Sequence, residues 1–321
     1  MTLLDEDAAR NVPVVFILYN RPNTTVLAWK AIEHWQPAQL FLIADGPKAG
    51  DPRDLELSQE ARQIVENVKW PCDVRRLYSQ TNLGCRQRVS SGLDQVFAEV
   101  ESAIILEDDC LVQDDFFSFC ATLLKRYADD TRFWGVSGTS YLNSASSEQE
   151  TYFATRYASS WGWATWRRAW QKADLQMRFW PQWRKSKAWC QWVENARERW
   201  YWNLLFDDCY KKRIDSWATP FLANQWYSKG LFLMSGHNLV SNVGFGRLGT
   251  HTRDPKEFMA ARDIDSLSNG VGRGHLTPDP DREAKIFSIA FNGNKLRFPA
   301  ALYTIPRLVL GQFYRWLRAL K

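Results

Sequence analysis

Several features that define common protein classes are missing from this chain of 321 residues. Its six cysteines form no CxxC pair and no zinc-like spacing, which argues against a zinc module and predicts separate, reduced thiols. No stretch approaches the roughly 20 apolar residues of a membrane-spanning helix. The segment MTLLDEDAARN lacks the apolar core of a signal peptide, so we expect a cytoplasmic protein, soluble or peripheral at the inner face of the membrane.

A clustered basic face is missing as well. The net charge is +5, but Lys and Arg are scattered except near the C-terminus, which argues against a nucleic-acid partner. No internal repeat or low-complexity linker divides the chain, so we expect one composite domain over 1–255 and a C-terminal extension over 256–321. The end of this extension predicts either a basic amphipathic helix in peripheral contact with a membrane or a helix packed on the body; its basic residues are Arg307, Arg315, Arg318 and Lys321.

Tryptophan is the residue that the sequence has in excess. There are 17, in a chain whose 45% hydrophobic and 24% charged residues are typical of a folded globular protein. Tryptophan in excess can form flat apolar platforms for sugar rings as well as core. The Trp-rich part spans 157–227, so we expect any sugar-facing surface there.

Strand-like and helix-like segments alternate through residues 12–130. Apolar, β-rich runs occur at 12–19, 40–44, 72–78 and 104–106, and helical spacing of apolar residues occurs at 24–35, 54–68 and after Gly84. This alternation predicts an α/β fold with a mostly parallel, Rossmann-like sheet flanked by helices. Further on, we expect helical segments around 161–172 and 188–213, and Asn23 is the expected N-cap of the first long helix.

Polar residues follow three of the predicted strands. Arg21 comes after the first, Asp45 after the second, and Glu107, Asp108 and Asp109 end the fourth. Since ligands of parallel sheets gather at the carboxyl ends of strands, we expect one site there. Three adjacent acids need a cationic partner if they are buried, and Mn²⁺ or Mg²⁺ bridging a diphosphate would supply it. A solvated acidic turn leading into the next helix is the alternative.

These segments also resemble a known family. The order YNRP, ADG, NLGCR and LEDD is similar to the nucleotide-sugar half of GT-A fold glycosyltransferases, and EDD with the later FDD resembles the N-acetylglucosaminyltransferase I group. The resemblance covers roughly 12–253. It implies a nucleotide-sugar half over 12–130, an acceptor half over 131–255, and metal-dependent, inverting transfer of a hexosyl or N-acetylhexosaminyl group from a UDP-sugar to a glycan, lipid-linked or glycoconjugate acceptor.

The resemblance implies roles for residues on the donor side. It places Asp109 on the metal, with Glu107 and Asp108 near the ribose and sugar. The remaining donor-side roles are Asp45 on the uracil edge, Arg21 with its neighbour Asn20 on the nucleotide, and Arg86 on the phosphates. The alternatives are an Asp-Gly turn for Asp45, a helix cap for Arg21 and a solvated position in the first helical turn for Arg86.

On the acceptor side, the resemblance makes Asp208 the base that takes the proton of the acceptor hydroxyl. Surface ion pairs with Lys211 and Lys212 are the alternative for Asp207 and Asp208. The segment WGWATW, with Trp161, Gly162 and Trp163, is expected to line the sugar, or else to be core. In the Gly-rich stretch 241–252, His251 is a candidate metal or phosphate contact.

Two other functions stay open from the sequence. A Trp-rich carbohydrate-binding protein without catalysis would account for the tryptophans. A sugar-phosphate nucleotidylyltransferase would share the nucleotide-binding sheet, but it usually carries a Gly-rich loop and a basic residue just after the first strand, where this chain has NRPN.

Overall fold

The computed structural model describes residues 5–142, 150–244, 261–267, 270–297 and 300–318. The strands are β1 (Val14–Leu18), β2 (Gln39–Ala44), β3 (Asp73–Tyr78), β4 (Ser102–Glu107), β5 (Cys110–Val112), β6 (Phe133–Ser137), β7 (Glu150–Thr155), β8 (Trp163–Trp166), β9 (Leu231–Ser235), β10 (Val240–Asn242) and β11 (Arg273–His275). The helices are α1 (Glu6–Arg10), α2 (Pro22–Trp35), α3 (Pro52–Glu66), α4 (Cys85–Glu99), α5 (Asp114–Arg126), α6 (Arg167–Trp170), α7 (Trp180–Trp183), α8 (Lys187–Trp192), α9 (Ala196–Tyr210), α10 (Ala218–Tyr227), α11 (Pro280–Ala290) and α12 (Ala301–Arg318), with a 3-10 helix at Gly293–Leu296.

In the described part of the chain, nine strands form one sheet in the order β11-β7-β9-β6-β8-β4-β1-β2-β3. The four strands predicted in the first half are adjacent and parallel. Strand β8 runs antiparallel to both of its neighbours, and β7 runs antiparallel to β9. The remaining pair, β5 and β10, forms a separate antiparallel ribbon. The predicted α/β fold with a mostly parallel sheet flanked by helices is confirmed.

Strand β1 shows why this sheet is covered on both faces. Its sequence VVFIL is buried at every position. Val14, Phe16 and Leu18 belong to one apolar cluster with residues of α2 and α3, whereas Val15 and Ile17 belong to a second cluster with residues of α4. The two-residue period of a strand thus divides one apolar run between two helix layers.

Two local predictions were wrong. Helix α2 begins at Pro22 after Arg21, so Asn23 lies inside the first turn and is not the N-cap; proline fits that turn because it needs no hydrogen-bonded N–H there. The segment predicted as helical around 161–172 instead forms strand β8 followed by the short helix α6. Pairing of β8 with β4 and β6 overrides its helical spacing of Trp residues.

The tryptophan-rich half is mainly a third apolar cluster. Trp180, Trp189, Trp202 and Trp226 are all within 1% of complete burial and pack edge-on or tilted against one another. Residues beyond 255 join this body through β11 and through buried Glu283 of α11. Among the described residues, we find no helix whose length and hydropathy suit a membrane span.

Candidate functional site

The strand order reverses beside β1. The chain proceeds from β1 to β2 and β3 on one side, and β4 then pairs on the other side of β1. The carboxyl ends of β1 and β4 therefore border the crevice in which open α/β sheets bind their ligands. Residues 19–21 follow β1, and β4 ends at Glu107 with Asp108 and Asp109 directly after it.

Arg21 forms ion pairs with two of the three acids. Its Nη1 lies 2.7 Å from Oδ2 of Asp109 and 3.5 Å from Oδ1 of Asp108. The backbone N–H of Tyr19 also donates to Oδ2 of Asp108 at 3.1 Å. The guanidinium of Arg21, at the end of the neighbouring strand, is therefore a cationic partner for the adjacent acids, as their expected repulsion requires.

Burial and mutual repulsion favour the protonated forms of two of the acids. Burial, followed by repulsion from Asp109 and Asp108, raises the pKa of Glu107 to about 8, although Arg21 and a hydrogen bond from Trp217 act in the opposite direction. Burial also raises the pKa of Asp108 to about 7 against the lowering effect of Arg21. Additional positive charge in the crevice would favour the ionised form of both carboxyls.

Glu107 differs from the other two acids in solvent contact. It keeps more solvent contact than Asp108 and Asp109, which are 6% and 8% exposed. Protein nonetheless surrounds it densely enough for burial to be the first cause of its raised pKa. Glu107 is therefore mostly enclosed by protein but retains some contact with solvent.

The β5–β10 ribbon fixes the position of Asp109. Asn242, at the end of β10, donates from Nδ2 to Oδ1 of Asp109 at 3.2 Å. The N–H of Val243 donates to the backbone carbonyl of Asp109 at 2.9 Å. A Cβ on Gly244 would overlap the Asp109 carboxylate, so the close approach of the backbone requires glycine. These three residues lie in the Gly-rich stretch 241–252, but their contacts with Asp109 were not predicted, because they span more than 130 positions.

Asp45 is a structural residue, not the predicted reader of the uracil edge. Its Oδ1 accepts the N–H groups of Gly46 and Leu83, each at 2.9 Å. Its Oδ2 accepts the N–H of Gly84 at 2.9 Å and Nδ2 of Asn82 at 3.2 Å. A carboxylate has about four acceptor positions, and protein donors occupy them here. The role of Asp45 is therefore to hold the turn that starts α4.

Asn20 also differs from its predicted role on the nucleotide. Its Nδ2 donates to Asp54 at 2.7 Å, and the Tyr19 hydroxyl donates to the same carboxylate at 2.5 Å. The N–H of Lys48 adds a third donor at 2.7 Å. Asp54, which is 4% exposed, thus ties together the segments that follow β1 and β2. Sequence reasoning missed it because an acid in the first turn of a helix looks like an ordinary helix-start residue.

Arg86 does not point toward a phosphate position. Its guanidinium donates to the backbone carbonyls of Leu175 and Cys209. The N–H groups of Cys85 and Arg86, each at 3.0 Å, donate to the carboxylate of Asp215, which caps the first turn of α4. The side chain and the N–H of Arg86 are therefore both engaged within the protein.

Asp208 is the clearest correction. Its side chain is completely buried, with Arg213 Nη1 at 3.2 Å from Oδ1 and Arg315 Nη2 at 2.8 Å from Oδ2. An acid enclosed by two guanidiniums cannot reach an acceptor hydroxyl. Asp207 pairs with Arg184 at 3.2 Å, so arginines, not the predicted lysines, neutralise both acids.

The WGWATW segment belongs mainly to the core. Trp163 is 1% exposed and stacks on Trp217 at a centroid distance of 5.2 Å. Gly162 has a φ of +58°, and a Cβ there would overlap Val240. Trp161 is partly buried, and its carbonyl accepts a hydrogen bond from Thr139. Trp163 and Gly162 therefore pack in the core, which was the stated alternative to their predicted contact with a sugar.

The acids suit a divalent cation that arrives with a diphosphate. Within the described ranges, no group of three His, Cys, Asp or Glu side chains forms a ready-made metal cage. Mg²⁺ usually takes one or two protein carboxylates and completes its shell with phosphate oxygens and water, a requirement that Asp108 and Asp109 meet. Burial, with repulsion from the neighbouring acids, raises the pKa of Glu107 and Asp108, and a cation would favour their ionised forms. His251, the other predicted ligand, lies outside the described residues.

Comparison with known proteins finds one weak structural likeness to report. No protein-family model matches the chain, and no curated protein matches it. Among solved structures, it is similar to 4-diphosphocytidyl-2C-methyl-D-erythritol synthase from Anaerococcus prevotii, with 7% identity and a TM-score of 0.29 over 51% of this chain and 76% of that one. A likeness at this level carries no inference about the site.

Proposed function

We propose that the protein is a metal-dependent glycosyltransferase that takes a sugar from a nucleoside diphosphate sugar, with UDP as the expected nucleotide. The observation that carries this proposal is the cluster of Arg21 with Glu107, Asp108 and Asp109 in the crevice between β1 and β4. Its position is where an open α/β sheet binds a nucleotide. Its three adjacent acids suit a ligand that includes a cation, which would favour their ionised forms.

The chemistry of the leaving group fits this cluster. When a sugar departs from a diphosphate, negative charge grows on the diphosphate oxygens, and a divalent cation would offset that charge as a Lewis acid. Asp109 and Asp108 would hold the cation. Arg21 contributes a fixed positive charge beside them, and its pKa is raised because Asp108 and Asp109 stabilise the charged form.

Glu107 takes over the base role first assigned to Asp208. It is the carboxyl of the cluster that combines solvent contact with a pKa of about 8. A cation bound beside it would favour its ionised form, and the carboxylate could then accept the proton of an acceptor hydroxyl during attack. Attack assisted by a base on the face opposite the diphosphate inverts the anomeric configuration, so this proposal predicts an inverted product.

Burial of the tryptophans weakens the rival carbohydrate-binding function. Seven indoles are among the largest fully buried side chains, and an indole enclosed in core offers no face to a sugar ring. They are Trp35, Trp134, Trp163, Trp180, Trp189, Trp202 and Trp226. Packing in the core accounts for these tryptophans. The proposed function therefore rests on the acidic crevice.

The proposal is tested by turnover of a panel of donors. UDP-glucose, UDP-N-acetylglucosamine, GDP-mannose and a thymidine diphosphate sugar are incubated with Mn²⁺, and release of nucleoside diphosphate is measured. We expect release from a uridine donor and a loss of about 100-fold or more in Asp109→Asn and in Arg21→Ala, because each change removes a charge from the crevice. The matched control Glu101→Gln, whose side chain is 81% exposed, should keep full turnover.

A nucleotidylyltransferase is separated in the same assay. UTP and a sugar 1-phosphate replace the UDP-sugar, and pyrophosphate is measured. Pyrophosphate release that depends on Arg21 and Asp109, without UDP release from any donor, would replace glycosyl transfer by nucleotidyl transfer. A sugar product that retains its anomeric configuration would remove Glu107 as the base.

A further inference from the structure

The C-terminal helix α12 has two distinct faces. The partly buried positions recur at helical spacing and lie toward the body; they are Ala301, Thr304, Leu308, Gly311, Gln312 and Arg315. The helix contacts the 3-10 helix Gly293–Leu296, and Arg315 Nη2 lies 2.8 Å from the buried Oδ2 of Asp208. One face of α12 is therefore docked on the protein.

The opposite face is apolar and exposed. Leu302, Ile305, Val309 and Leu310 are 62%, 39%, 48% and 55% exposed. At 100° per residue they fall within one stripe of the helix, on the side away from Arg315. Removing an aliphatic side chain from water is favourable. Four exposed aliphatic side chains on one face of a helix therefore indicate an interaction surface.

Charge indicates what covers this stripe. Residues 298–321 contain Arg307, Arg315, Arg318 and Lys321 and no Asp or Glu. Arg307 is exposed and lies between the aliphatic residues of the stripe in the sequence. An aliphatic stripe with exposed Arg307 beside it, in a segment without any acid, matches an anionic lipid surface, where the aliphatic side chains enter the acyl boundary and Arg307 meets the headgroups.

We propose that α12 binds the protein to membranes rich in anionic lipid, lying in the plane of the interface with Leu302, Ile305, Val309 and Leu310 inserted. The ion pair of Arg315 with the buried carboxylate of Asp208 links this helix to the rest of the protein. Asp208 lies next to Cys209, whose carbonyl accepts from Arg86 at the start of α4. The membrane-bound helix thus attaches beside the carboxyl edge of the sheet. This surface is independent of the proposed transfer reaction.

The test is co-sedimentation of the full chain with vesicles. One set contains phosphatidylglycerol and phosphatidylcholine, and the other phosphatidylcholine alone. We expect binding to the anionic vesicles that weakens with added salt. The double change Leu302→Glu/Val309→Glu should weaken it by about tenfold or more, and Arg307→Gln by about fivefold. The matched controls are Leu55→Glu, at a residue 43% exposed on α3, and Arg53→Gln beside it; both should bind as the wild type does.

Three results would overturn the proposal. The first is absence of binding to anionic vesicles at low salt. The second is equal binding by the wild type and by the α12 variants, provided that thermal unfolding shows that all are folded. The third is a wild-type dimer in light scattering that the double change dissociates while vesicle binding is absent, which would make the stripe an interface between two copies of the chain.

Discussion

At the scale of single residues, a mutation of Asp208 can show whether this acid has a structural or a catalytic role. Its carboxylate is fully buried between Arg213 and Arg315. We expect Asp208→Asn to lower the free energy of unfolding by about 3 kcal/mol, because two guanidiniums lose their counter-charge. Chemical denaturation measures this loss, and calorimetry should show UDP affinity within about twofold of the wild type.

An exposed ion pair provides the control for this change. Glu56→Gln removes the partner of Arg53, in a pair whose side chains are more than 60% exposed, and should cost less than about 1 kcal/mol. Unchanged stability of Asp208→Asn together with a 100-fold loss of turnover would return the base role to Asp208.

Glu107 makes the stability of the protein depend on pH. Its pKa rises from an ordinary value of 4.5 to about 8 on folding. Between these values the native carboxyl keeps a proton that the unfolded chain has released, so rising pH favours the unfolded state. Asp108, with a pKa of about 7, acts in the same direction.

Removing the Glu107 charge should therefore flatten this dependence. We expect Glu107→Gln to become more stable relative to the wild type by about 2–4 kcal/mol between pH 5 and pH 8, as measured by urea unfolding at each pH. Glu101→Gln, an exposed change of the same type, should follow the wild type. A stability difference that stays constant over this range would show that Glu107 is ionised at both pH values.

At the scale of elements, the β5–β10 ribbon positions the carboxylate that the proposal places on the cation. A Cβ at position 244 overlaps Asp109, so Gly244→Ala must move the acid or the ribbon. We expect the affinity for UDP with Mn²⁺ to fall by about tenfold or more, and the cost in stability to be about 1–3 kcal/mol. Calorimetric titration measures the first effect and denaturation the second.

Gly50→Ala is the matched control. Gly50 has a φ of +75°, and a Cβ there would meet nothing within 4 Å. This change should cost stability through backbone strain and leave the affinity for UDP unaltered. Equal affinity of Gly244→Ala and the wild type would mean that the ribbon does not set the position of Asp109.

The same elements show what the sequence could predict. Strands β1, β2 and β4 are continuous apolar runs, and their ends identify Arg21, Asp108 and Asp109 without any further information. Strand β8 escaped prediction because the spacing of Trp163 and Trp166 matches a helical turn, whereas pairing with β4 and β6 decides its conformation.

Roles that depend on distant partners could not be predicted. Asp208 meets Arg315 across 107 positions, and Asp109 meets Asn242 across 133. The local spacing of residues in the sequence does not predict such distant contacts. A sequence motif can therefore identify an acid and still assign it the wrong role. Asp45 shows the same limit, because its partners come from the turn before α4.

At the scale of the whole molecule, opposite charges occupy different places. The chain is basic overall at +5, yet the crevice between β1 and β4 gathers three acids against Arg21. The positive charge near the C-terminus accompanies α12 and its exposed apolar stripe. The proposed function places a divalent cation in this acidic crevice, and the cation is its central claim.

The most direct measurement is calorimetric titration of UDP into the wild type and into Asp109→Asn, each with and without Mn²⁺. We predict that wild-type affinity is at least about tenfold higher with Mn²⁺, since the cation links the acids to the diphosphate, and that Asp109→Asn loses this gain. Glu101→Gln should retain it. Equal UDP affinity with and without Mn²⁺ in the wild type, or no UDP binding at all, would contradict the account.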